Sequence, residues 1–337
     1  MSKTILITGG AGFIGSHLVE YMLNKYSDYH IINLDAVTYA GDLNRLKDIH
    51  NSERYKFYHG NICDAQLVKE IFATHNITDV IHLAAESHVD NSINNPGIFI
   101  ETNIIGTFTL LEAAKKYWQN KNEHGKFLHV STDEVYGSLG DEGYFSETTP
   151  YAPNSPYSAS KASSDFLVRS YFHTYRLPVV ISNCSNNYGS RQHAEKLIPT
   201  VVRTALEGQQ IPIYGAGKNI RDWLYVADHC SALDAILHKG ILGESYNVGT
   251  NNEKTNNDLV ILICKILDEE KPLADGRSYS NQISYVEDRL GHDYRYAIDN
   301  SKICLQLKWT SSFPFIDSLR DTVKWYILMF DDIKIKS

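Results

Sequence analysis

The sequence contains no long apolar run. None of its apolar stretches approaches the ~20 residues that a membrane-spanning helix needs, so we expect no membrane partner. The apolar segment near the N-terminus, "TILIT", meets a glycine loop at once and is too short for the core of a signal peptide. These absences predict a cytoplasmic protein.

Positive charge and clustered metal ligands are also scarce. The formal net charge is −8 and no long basic run occurs, which argues against nucleic acid as a partner. The five cysteines are scattered and contain no CxxC pair, as is typical of free thiols in a reducing cytoplasm. No histidine pair has metal-ligand spacing beside a carboxylate, so no metal is expected.

The sequence does contain a regular alternation of apolar runs and amphipathic segments. With 337 residues, 43% of them hydrophobic, the chain can bury one large core or two modest ones. The apolar runs are "TILIT", "HIINLD", "KFYHG", "DVIHLA", "KFLHVS" and "PVVIS". Strand and helix in strict alternation imply right-handed crossovers. The predicted fold is therefore α/β, with a Rossmann-like doubly wound parallel sheet.

The alternation weakens after residue 184, where loops rich in Asn, Gly and Tyr appear, such as "SNNYGSRQHAEKL". We therefore expect a Rossmann domain over residues 1–184 and a smaller C-terminal lobe over residues 185–337. Elements around residues 222–248 are expected to return to the first domain. No low-complexity linker and no internal repeat separates the two.

A glycine loop follows the first predicted strand. The segment "TGGAGFIG" places Gly10, Gly12 and Gly15 in G-x-G-x-x-G spacing, with Gly9 beside them, where a helix begins. Glycines there allow close backbone approach to a pyrophosphate, which the helix N-terminus stabilises. The second strand ends at Asp35, whose carboxylate can accept hydrogen bonds from ribose hydroxyls and would repel a 2′-phosphate. The predicted cofactor is therefore NAD rather than NADP.

A tyrosine and a lysine share one face of a later helix. Tyr157 precedes Lys161 by four residues in "SPYSASK". The ammonium can lower the pKa of the phenol and hold a ribose, and the phenolate can take a proton from a sugar hydroxyl. Three other Tyr–Lys pairs have this spacing, but only Tyr157 follows a strand end that carries Ser131 and Thr132. We therefore interpret Tyr157 and Lys161 as the catalytic pair.

Further motifs accompany these residues: "HLAAESHVD", "HVSTDEVYG", "CSNNYG", "EKLIP", "NIRDWLYV" and "EDRLGHD". With them the chain resembles, over nearly its whole length, the nucleotide-sugar 4,6-dehydratases, a branch of the extended short-chain dehydrogenases/reductases. The resemblance implies NAD as cofactor and a nucleoside-diphosphate glucose as substrate. The expected substrate is dTDP-glucose, with UDP-glucose as the alternative. The resemblance also implies that the C-terminal lobe binds the nucleotide sugar.

The resemblance also gives a role to Asp133 and Glu134, two adjacent carboxyls where a strand ends. It implies that Tyr157 takes the proton of the C4 hydroxyl as a hydride passes to NAD, while Thr132 hydrogen-bonds the C4 oxygen. Glu134 would then remove the C5 proton and Asp133 would protonate the departing C6 hydroxyl. Hydride return to C6 gives the 4-keto-6-deoxy sugar. Mutual repulsion in a partly desolvated site can hold the two carboxyls in opposite protonation states.

Binding residues follow from the same resemblance, position by position. For the cofactor they are Gly9, Gly12, Phe13, Ile14, Gly15, Asp35, Thr38, Asn61, Ile62, Ala84, Ala85, Ser87, Tyr157, Lys161 and Asn187. For the nucleotide sugar they are Ser87, Thr132, Asn186, Lys196, Leu197, Pro212, Tyr214, Arg221, Asn256, Arg289 and His292. Arg221 and Arg289 suit a diphosphate, since guanidinium pairs bidentately with such oxygens.

Departures from the family pattern lie around the nucleotide-binding half. They are Asn61, Asn91, Ser190, His193, Ala194 and Tyr294. They leave the choice between thymine and uracil open without touching the catalytic residues. A nucleotide-sugar 4-epimerase is an alternative that needs no carboxyl pair, and a non-enzymatic NAD-binding regulator is another. The resemblance further implies a homodimer formed by the helices that follow the fourth and fifth strands.

Overall fold

The computed structural model describes residues 2–121, 125–288 and 290–336. Its strands are β1 (Thr4–Thr8), β2 (His30–Asp35), β3 (Tyr55–His59), β4 (Asp79–His82), β5 (Lys126–Thr132), β6 (Val179–Cys184), β7 (Asn186–Tyr188), β8 (Ile211–Tyr214), β9 (Ile220–Tyr225), β10 (Ser245–Val248), β11 (Glu253–Thr255) and β12 (Ile283–Val286). Seven of them form the central sheet, which positions the site described below.

The α-helices surround this sheet and build the second lobe. They are α1 (Phe13–Lys25), α2 (Ala65–His75), α3 (Val89–Asn94), α4 (Pro96–Phe99), α5 (Thr107–Lys121), α6 (Pro156–Tyr175), α7 (Leu197–Leu206), α8 (Val226–Lys239), α9 (Asn256–Glu270), α10 (Ser301–Leu307) and α11 (Phe315–Lys336). Across the described parts of the chain, none of the helices combines the length and apolarity needed to cross a membrane.

The central sheet is parallel throughout, in the order β10-β6-β5-β4-β1-β2-β3. The chain winds from β1 toward β3 on one side and from β4 toward β6 on the other. The strand order therefore reverses between β1 and β4, and in such sheets ligands bind in the crevice at the carboxyl ends of the strands. The predicted Rossmann-like α/β fold is confirmed.

Both faces of the sheet are covered by helices, which explains why its strands are apolar runs rather than alternating ones. Alternate residues of β1 point to opposite faces. Ile5 and Ile7 belong to one buried cluster, which includes residues of α1 and α8. Leu6 belongs to the other, which includes residues of α2, α5 and α6.

The helical pattern over residues 98–118 is interrupted by one turn of different geometry. A π-helix spans Ile100–Gly106, between α4 and α5. Its Asn103 side chain is buried and binds the backbone of Glu86 through both of its polar atoms, accepting from N at 2.9 Å and donating to O at 3.0 Å. The π-turn thus ties this helix to the chain segment that follows β4. Such turns are common at functional sites.

The second lobe holds two small sheets, β11-β9-β7 and β12-β8, packed with α7, α9 and α11 around a core of their own. The chain does not leave the first lobe for good at residue 184. Strand β10 pairs with β6 at the edge of the central sheet, and α8 packs on the same face as α1. We propose a Rossmann domain of residues 1–184 that α8 and β10 complete.

Replacing Leu6 by alanine tests the packing of the central strand. Leu6 has no exposed surface, so we expect the free energy of unfolding to fall by about 2–5 kcal/mol, as for other cavity-forming substitutions. Leu305→Ala is the matched control, because that side chain is 69% exposed, and its effect should stay within about 0.5 kcal/mol. Denaturant titration measures both, and equal effects would contradict the packing described here.

Candidate active site

A cavity of about 400 Å³ opens at the carboxyl ends of β1, β2, β4, β5 and β6. All the residues that the family resemblance implies for the cofactor line it, and so do all the predicted catalytic residues. They are Gly9, Gly12, Phe13, Ile14, Gly15, Asp35, Thr38, Asn61, Ile62, Ala84, Ala85, Ser87, Thr132, Asp133, Glu134, Tyr157, Lys161 and Asn187. The fold therefore brings residues from the whole first lobe to one place.

The glycine loop needs glycine at two points for steric reasons. Gly9 has φ +76°, and a Cβ there would lie 2.7 Å from the backbone N of Ala84. A Cβ on Gly15 would lie 2.1 Å from the carbonyl oxygen of Gly9. Gly12 caps α1 without a side-chain hydrogen bond. The N-terminus of α1 is thus left open toward the cavity, as anion binding there requires.

Gly10 does not take part in this cradle, contrary to the spacing proposed from the sequence. Its N–H donates to Asn33 Oδ1 at 3.0 Å, and a Cβ on Gly10 would lie 2.3 Å from that same oxygen. Gly10 therefore packs against β2 instead of lining the cavity. The spacing that lines the cavity is Gly9, Gly12 and Gly15.

Asp35 is fixed by the backbone beside the loop. Its Oδ2 accepts from Ala11 N at 2.8 Å and its Oδ1 from Val37 N at 2.7 Å. Each oxygen keeps a further lone pair, and the carboxylate lines the cavity. The site therefore fits NAD: a glycine cradle that a Cβ would fill, an open helix N-terminus for the pyrophosphate, and a carboxylate for ribose hydroxyls.

Strand β5 delivers the two carboxyls to the cavity. It ends at Thr132, and a 3₁₀ turn over Asp133–Tyr136 follows directly. The Thr132 hydroxyl accepts from Glu134 N at 3.3 Å, which caps this turn. Asp133 is buried, whereas Glu134 is half-buried, so the two adjacent carboxyls have different environments.

Burial raises the pKa of Asp133 well above its usual range, and the nearby charge of Glu134 adds to that effect. Asp222 raises the pKa further, while Arg221 opposes it. The Oδ2 atom of Asp133 is buried and has no hydrogen-bond partner among the described residues. Burial and the charge of Glu134 both favour the neutral carboxylic acid, which is the form able to donate a proton into the cavity.

Helix α6 positions the tyrosine and the lysine in its first two turns. Ser155 and Ser158 form a capping box, each side chain accepting from the other residue's N at 3.0 Å, and Pro156 starts the helix. This cap fixes the place of Tyr157 in the first turn. Lys161, one turn later, donates from Nζ to the carbonyl oxygen of Val130 at 2.9 Å.

The expectation that Lys161 lowers the pKa of the phenol is not met in this structure. Burial raises the pKa of Tyr157 well above its usual range, and Glu134 raises it further, while a hydrogen bond with Thr132 acts in the opposite direction. A lysine four residues away does not offset the loss of water around a buried phenol. Tyr157 is therefore a protonated phenol that needs additional positive charge in the cavity to become a base.

Several lining residues were missed by the sequence reasoning. Cys184 ends β6 and pairs in register with Thr132, and burial raises the pKa of its thiol to about 12. Glu101 and Thr102 reach the cavity from the π-helix, and Gln192 reaches it from the loop after β7. The rule that ligands bind at strand carboxyl ends could have found Cys184. The others depend on tertiary packing.

The residues predicted for the nucleotide sugar fall into two groups. Ser87, Thr132, Asn186 and Lys196 line the cavity, and Leu197 begins α7 directly beside them. The rest lie in the second lobe and do not line the cavity. They are Pro212 and Tyr214 on β8, Arg221 on β9, Asn256 at the start of α9, and His292. Arg289 lies outside the described residues.

Arg221 is buried rather than solvated. Its Nη1 and Nη2 donate to backbone carbonyl oxygens of Ile220, Tyr294 and Asp293 at 2.7–3.3 Å. The guanidinium carbon lies 4.2 Å from the ring centroid of Tyr296. Its charge is held rigidly and is close enough to lower the pKa of Asp133.

The loop after β7 crosses from the second lobe onto the first. Arg191 pairs with Glu20 of α1 at 2.9 Å, and the carbonyl oxygen of Ser190 lies 3.0 Å from His17 Nε2. The ring of His193 packs edge-on against Tyr39, with their centroids 5.5 Å apart. Several departures from the family pattern therefore lie where the two lobes meet above the cofactor cradle.

Comparison with known proteins gives the same picture over the whole chain. Residues 6–322 match the family model described as GDP-mannose 4,6 dehydratase. The dTDP-glucose 4,6-dehydratase of Shigella flexneri is 54% identical over 336 residues, covering 96% of this chain and 92% of the relative.

Two solved structures share this fold closely. The dTDP-glucose 4,6-dehydratase of Bacillus anthracis, in complex with NAD, superposes with a TM-score of 0.88 at 48% identity and covers 98% of both chains. The enzyme of that name from Streptomyces venezuelae, solved with NAD bound, gives 0.89 at 42% identity, covering 96% of this chain and 97% of that one. The chain therefore belongs to the nucleotide-sugar 4,6-dehydratases of the extended short-chain dehydrogenase/reductase family, and within them to the dTDP-glucose 4,6-dehydratase group.

Proposed function

We propose that this protein is an NAD-dependent dTDP-glucose 4,6-dehydratase, which converts dTDP-glucose into dTDP-4-keto-6-deoxy-glucose and water. The observation that carries this proposal is the meeting of Asp133, Glu134 and Tyr157 in the cavity that also holds the glycine cradle. Dehydration needs an acid and a base that reach the same sugar in opposite protonation states. The names of the relatives supply the sugar and the nucleotide.

The first lobe would hold the cofactor. Gly9, Gly12 and Gly15 would leave room for its pyrophosphate, and Asp35 would accept hydrogen bonds from its adenosine ribose. Lys161, which lines the same cavity, would bind the second ribose by donation from Nζ. When bound, NAD would serve as the hydride acceptor and later as the hydride donor, and its oxidised ring would add a positive charge to the cavity.

Tyr157 is the base for the first step. Once the cavity carries added positive charge, its phenol can lose its proton and take the proton of the C4 hydroxyl, while Thr132 hydrogen-bonds the same oxygen. The sugar is thereby oxidised to a 4-ketone. A ketone at C4 acidifies the neighbouring C5 proton.

Glu134 and Asp133 carry out the elimination. Glu134 removes the C5 proton, and Asp133, held neutral by burial and by the charge of Glu134, protonates the C6 hydroxyl as it leaves as water. The enone that results is reduced by return of the hydride to C6 and protonated at C5 by Glu134, so that C4 stays a ketone in the product. Tyr157 releases to solvent the proton that it took from the C4 hydroxyl, and Asp133 regains one from solvent, which restores the starting protonation states.

The second lobe binds the nucleotide half. Lys196 donates to the carbonyl oxygen of Ser87 at 3.2 Å, which places a cation at the junction between the sugar site and this lobe. Arg221 and Arg289 are proposed for the diphosphate, and Tyr214, which is 45% exposed, for the base. These assignments rest on the family resemblance and on the chemistry of the side chains.

A turnover assay with two substrates tests the proposal. We expect dTDP-glucose to be converted far faster than UDP-glucose, with the product detected by the strong near-ultraviolet absorbance that 4-keto-6-deoxy sugars develop in alkali. A 4-epimerase would give no such signal with either substrate. The buried acid Asp133 favours the dehydratase, because epimerisation does not require a proton donor at C6.

We also propose that the enzyme is a cytoplasmic homodimer. The five cysteines, all of them among the described residues, carry free thiols, as is common in a reducing compartment. Ile100, Ile105, Phe108 and Phe166 expose 45–56% of their surface on the neighbouring π-helix, α5 and α6. An apolar surface of this kind is typical of a protein–protein contact.

Glu134→Gln should stop the exchange of the C5 proton with solvent and lower turnover by about 10²–10⁴-fold, because the carboxylate base is lost. Reduction of bound NAD should still occur, since the first step does not use Glu134. Glu142→Gln, on the exposed loop after β5, is the control. Deuterium incorporation at C5 and NADH absorbance measure the two steps. Exchange that persists unaltered would remove Glu134 from the role of base.

Tyr157→Phe should suppress the first hydride transfer itself, by about 10²–10⁴-fold, because the acceptor of the C4 proton is removed. Rapid mixing with substrate should then show almost no NADH. Tyr175→Phe, at an exposed position at the end of α6, should behave like the wild type. A Tyr157→Phe enzyme that kept most of its turnover would overturn the phenolate argument.

Phe108→Arg should convert the dimer to a monomer, because it places a charge within the exposed apolar surface. Ile261→Arg makes the same change on α9, where the side chain is 54% exposed outside this surface, and should leave the dimer intact. Sedimentation equilibrium measures the mass of both variants. A monomeric wild type, or dissociation by both substitutions, would contradict the proposed interface.

A further inference from the structure

One buried carboxylate near the active site has no part in the reaction just described. Asp165 lies on α6 and has no exposed surface. Its Oδ2 accepts from Ser131 Oγ and Tyr151 Oη, both at 2.9 Å, and from Asn183 Nδ2 at 3.3 Å. Its Oδ1 lies 3.2 Å from His129 Nε2. Donors from β5, β6 and the segment before α6 thus converge on one acid.

Such an arrangement suits a carboxylate, which acts as an acceptor for several donors at once. A carboxylate charge in the protein interior also needs a cation nearby. His129 does not supply that cation, since burial lowers the pKa of its imidazole to about 4. Arg169 follows Asp165 by four residues on α6, and its guanidinium carbon lies 5.7 Å from the ring centroid of Tyr151, so it is one cation on this face. Lys161 precedes Asp165 by four residues and therefore lies on the same face of α6.

Lys161 needs a negative partner because it, too, is a charged group that is buried. It is 4% exposed, and it donates to a neutral group, the carbonyl oxygen of Val130. Burial lowers the pKa of Lys161, and the charge of Asp165 is the largest of the effects that raise it. An ammonium held in an apolar interior loses its proton unless a nearby charge compensates it.

Other titratable or charged groups surround Lys161 and Asp165. They are Tyr157 and Arg169 on α6, Tyr151 before α6, His129 on β5, Asp133 and Glu134 after β5, Cys184 on β6 and His82 on β4. Both histidines, the thiol and both phenols are neutral near pH 7, and burial favours the neutral form of Asp133. Glu134 is committed to the C5 proton and faces the cavity.

We propose that Asp165 is a positioning residue. Its carboxylate accepts from Ser131, the neighbour of the Val130 carbonyl that Lys161 contacts, and supplies a negative charge that keeps this lysine an ammonium throughout the catalytic cycle. This inference rests on the proposed function, because the ammonium matters for the phenol and the cofactor ribose. The same carboxylate also fixes the strand ends, since Asn183 Nδ2 donates to the carbonyl oxygen of Thr132 as well, at 3.3 Å.

The test is the pH profile of the first hydride transfer in Asp165→Asn, followed by NADH formation in single turnovers with dTDP-glucose. An amide keeps the shape but not the charge, so Lys161 should lose its proton at lower pH. The alkaline limb of the profile should therefore move to lower pH by about one unit or more, a loss of about ten-fold on that limb. An unmoved limb would overturn the proposal.

Tyr151→Phe is the matched control, because it removes one hydrogen bond to Asp165 and keeps the charge. Its alkaline limb should stay where the wild-type limb lies, even if the rate falls. A limb that shifts equally in both variants would show that the packing matters and the charge does not. A wild type inactive on dTDP-glucose would instead reject the proposed function, which separates the two failures.

A second cycle does not depend on activity. If the two residues are a charge pair, Lys161→Met and Asp165→Asn should each lower the melting temperature, and the double variant should recover part of the loss. The cycle remains informative if the Asp165→Asn variant does not fold. In that case the double variant, Lys161→Met with Asp165→Asn, should still fold, because neither unpaired charge is left buried. A double variant less stable than both single variants, or unfolded while Lys161→Met folds, would overturn the proposal.

Discussion

The burial of acidic groups where β5 and β6 end is the constraint on which the rest of the molecule depends. Asp133 and Tyr157 both lose water there, and both are held in their protonated forms for that reason. In the proposed reaction, the charges of Glu134, Lys161 and the cofactor would then decide which proton moves. The sheet, the capped helix and the second lobe together bring these groups into one cavity.

Each support for this cavity is local and has a separate cause. The capping box fixes the first turn of α6. The 3₁₀ turn after Thr132 places the adjacent carboxyls of Asp133 and Glu134 in different environments. The π-helix brings the Asn103 side chain into contact with the backbone that follows β4. The buried Arg221 adds a fixed positive charge behind Asp133. The site is thus built by backbone geometry at several strand ends, not by a single loop.

Much of this was predictable, because the fold and the cofactor cradle have local signals. Apolar runs, glycine spacing and Asp35 at a strand end follow from chain-local rules. Three features were not. Gly10 packs against Asn33, the pKa of Tyr157 is raised instead of lowered, and Asp165 gathers its donors from elements far apart in sequence. All three depend on desolvation or on contacts across the sheet, which a linear pattern does not contain.

Strand β10 has a consequence for how such enzymes can change. β10 forms one edge of the central sheet, and the other six strands of that sheet all lie within residues 1–184. The chain reaches β10 only after it has formed several elements of the second lobe. A fragment cut after β6 would expose an unpaired parallel edge. The second lobe therefore cannot be exchanged as one contiguous segment, because the chain returns to the central sheet between its parts.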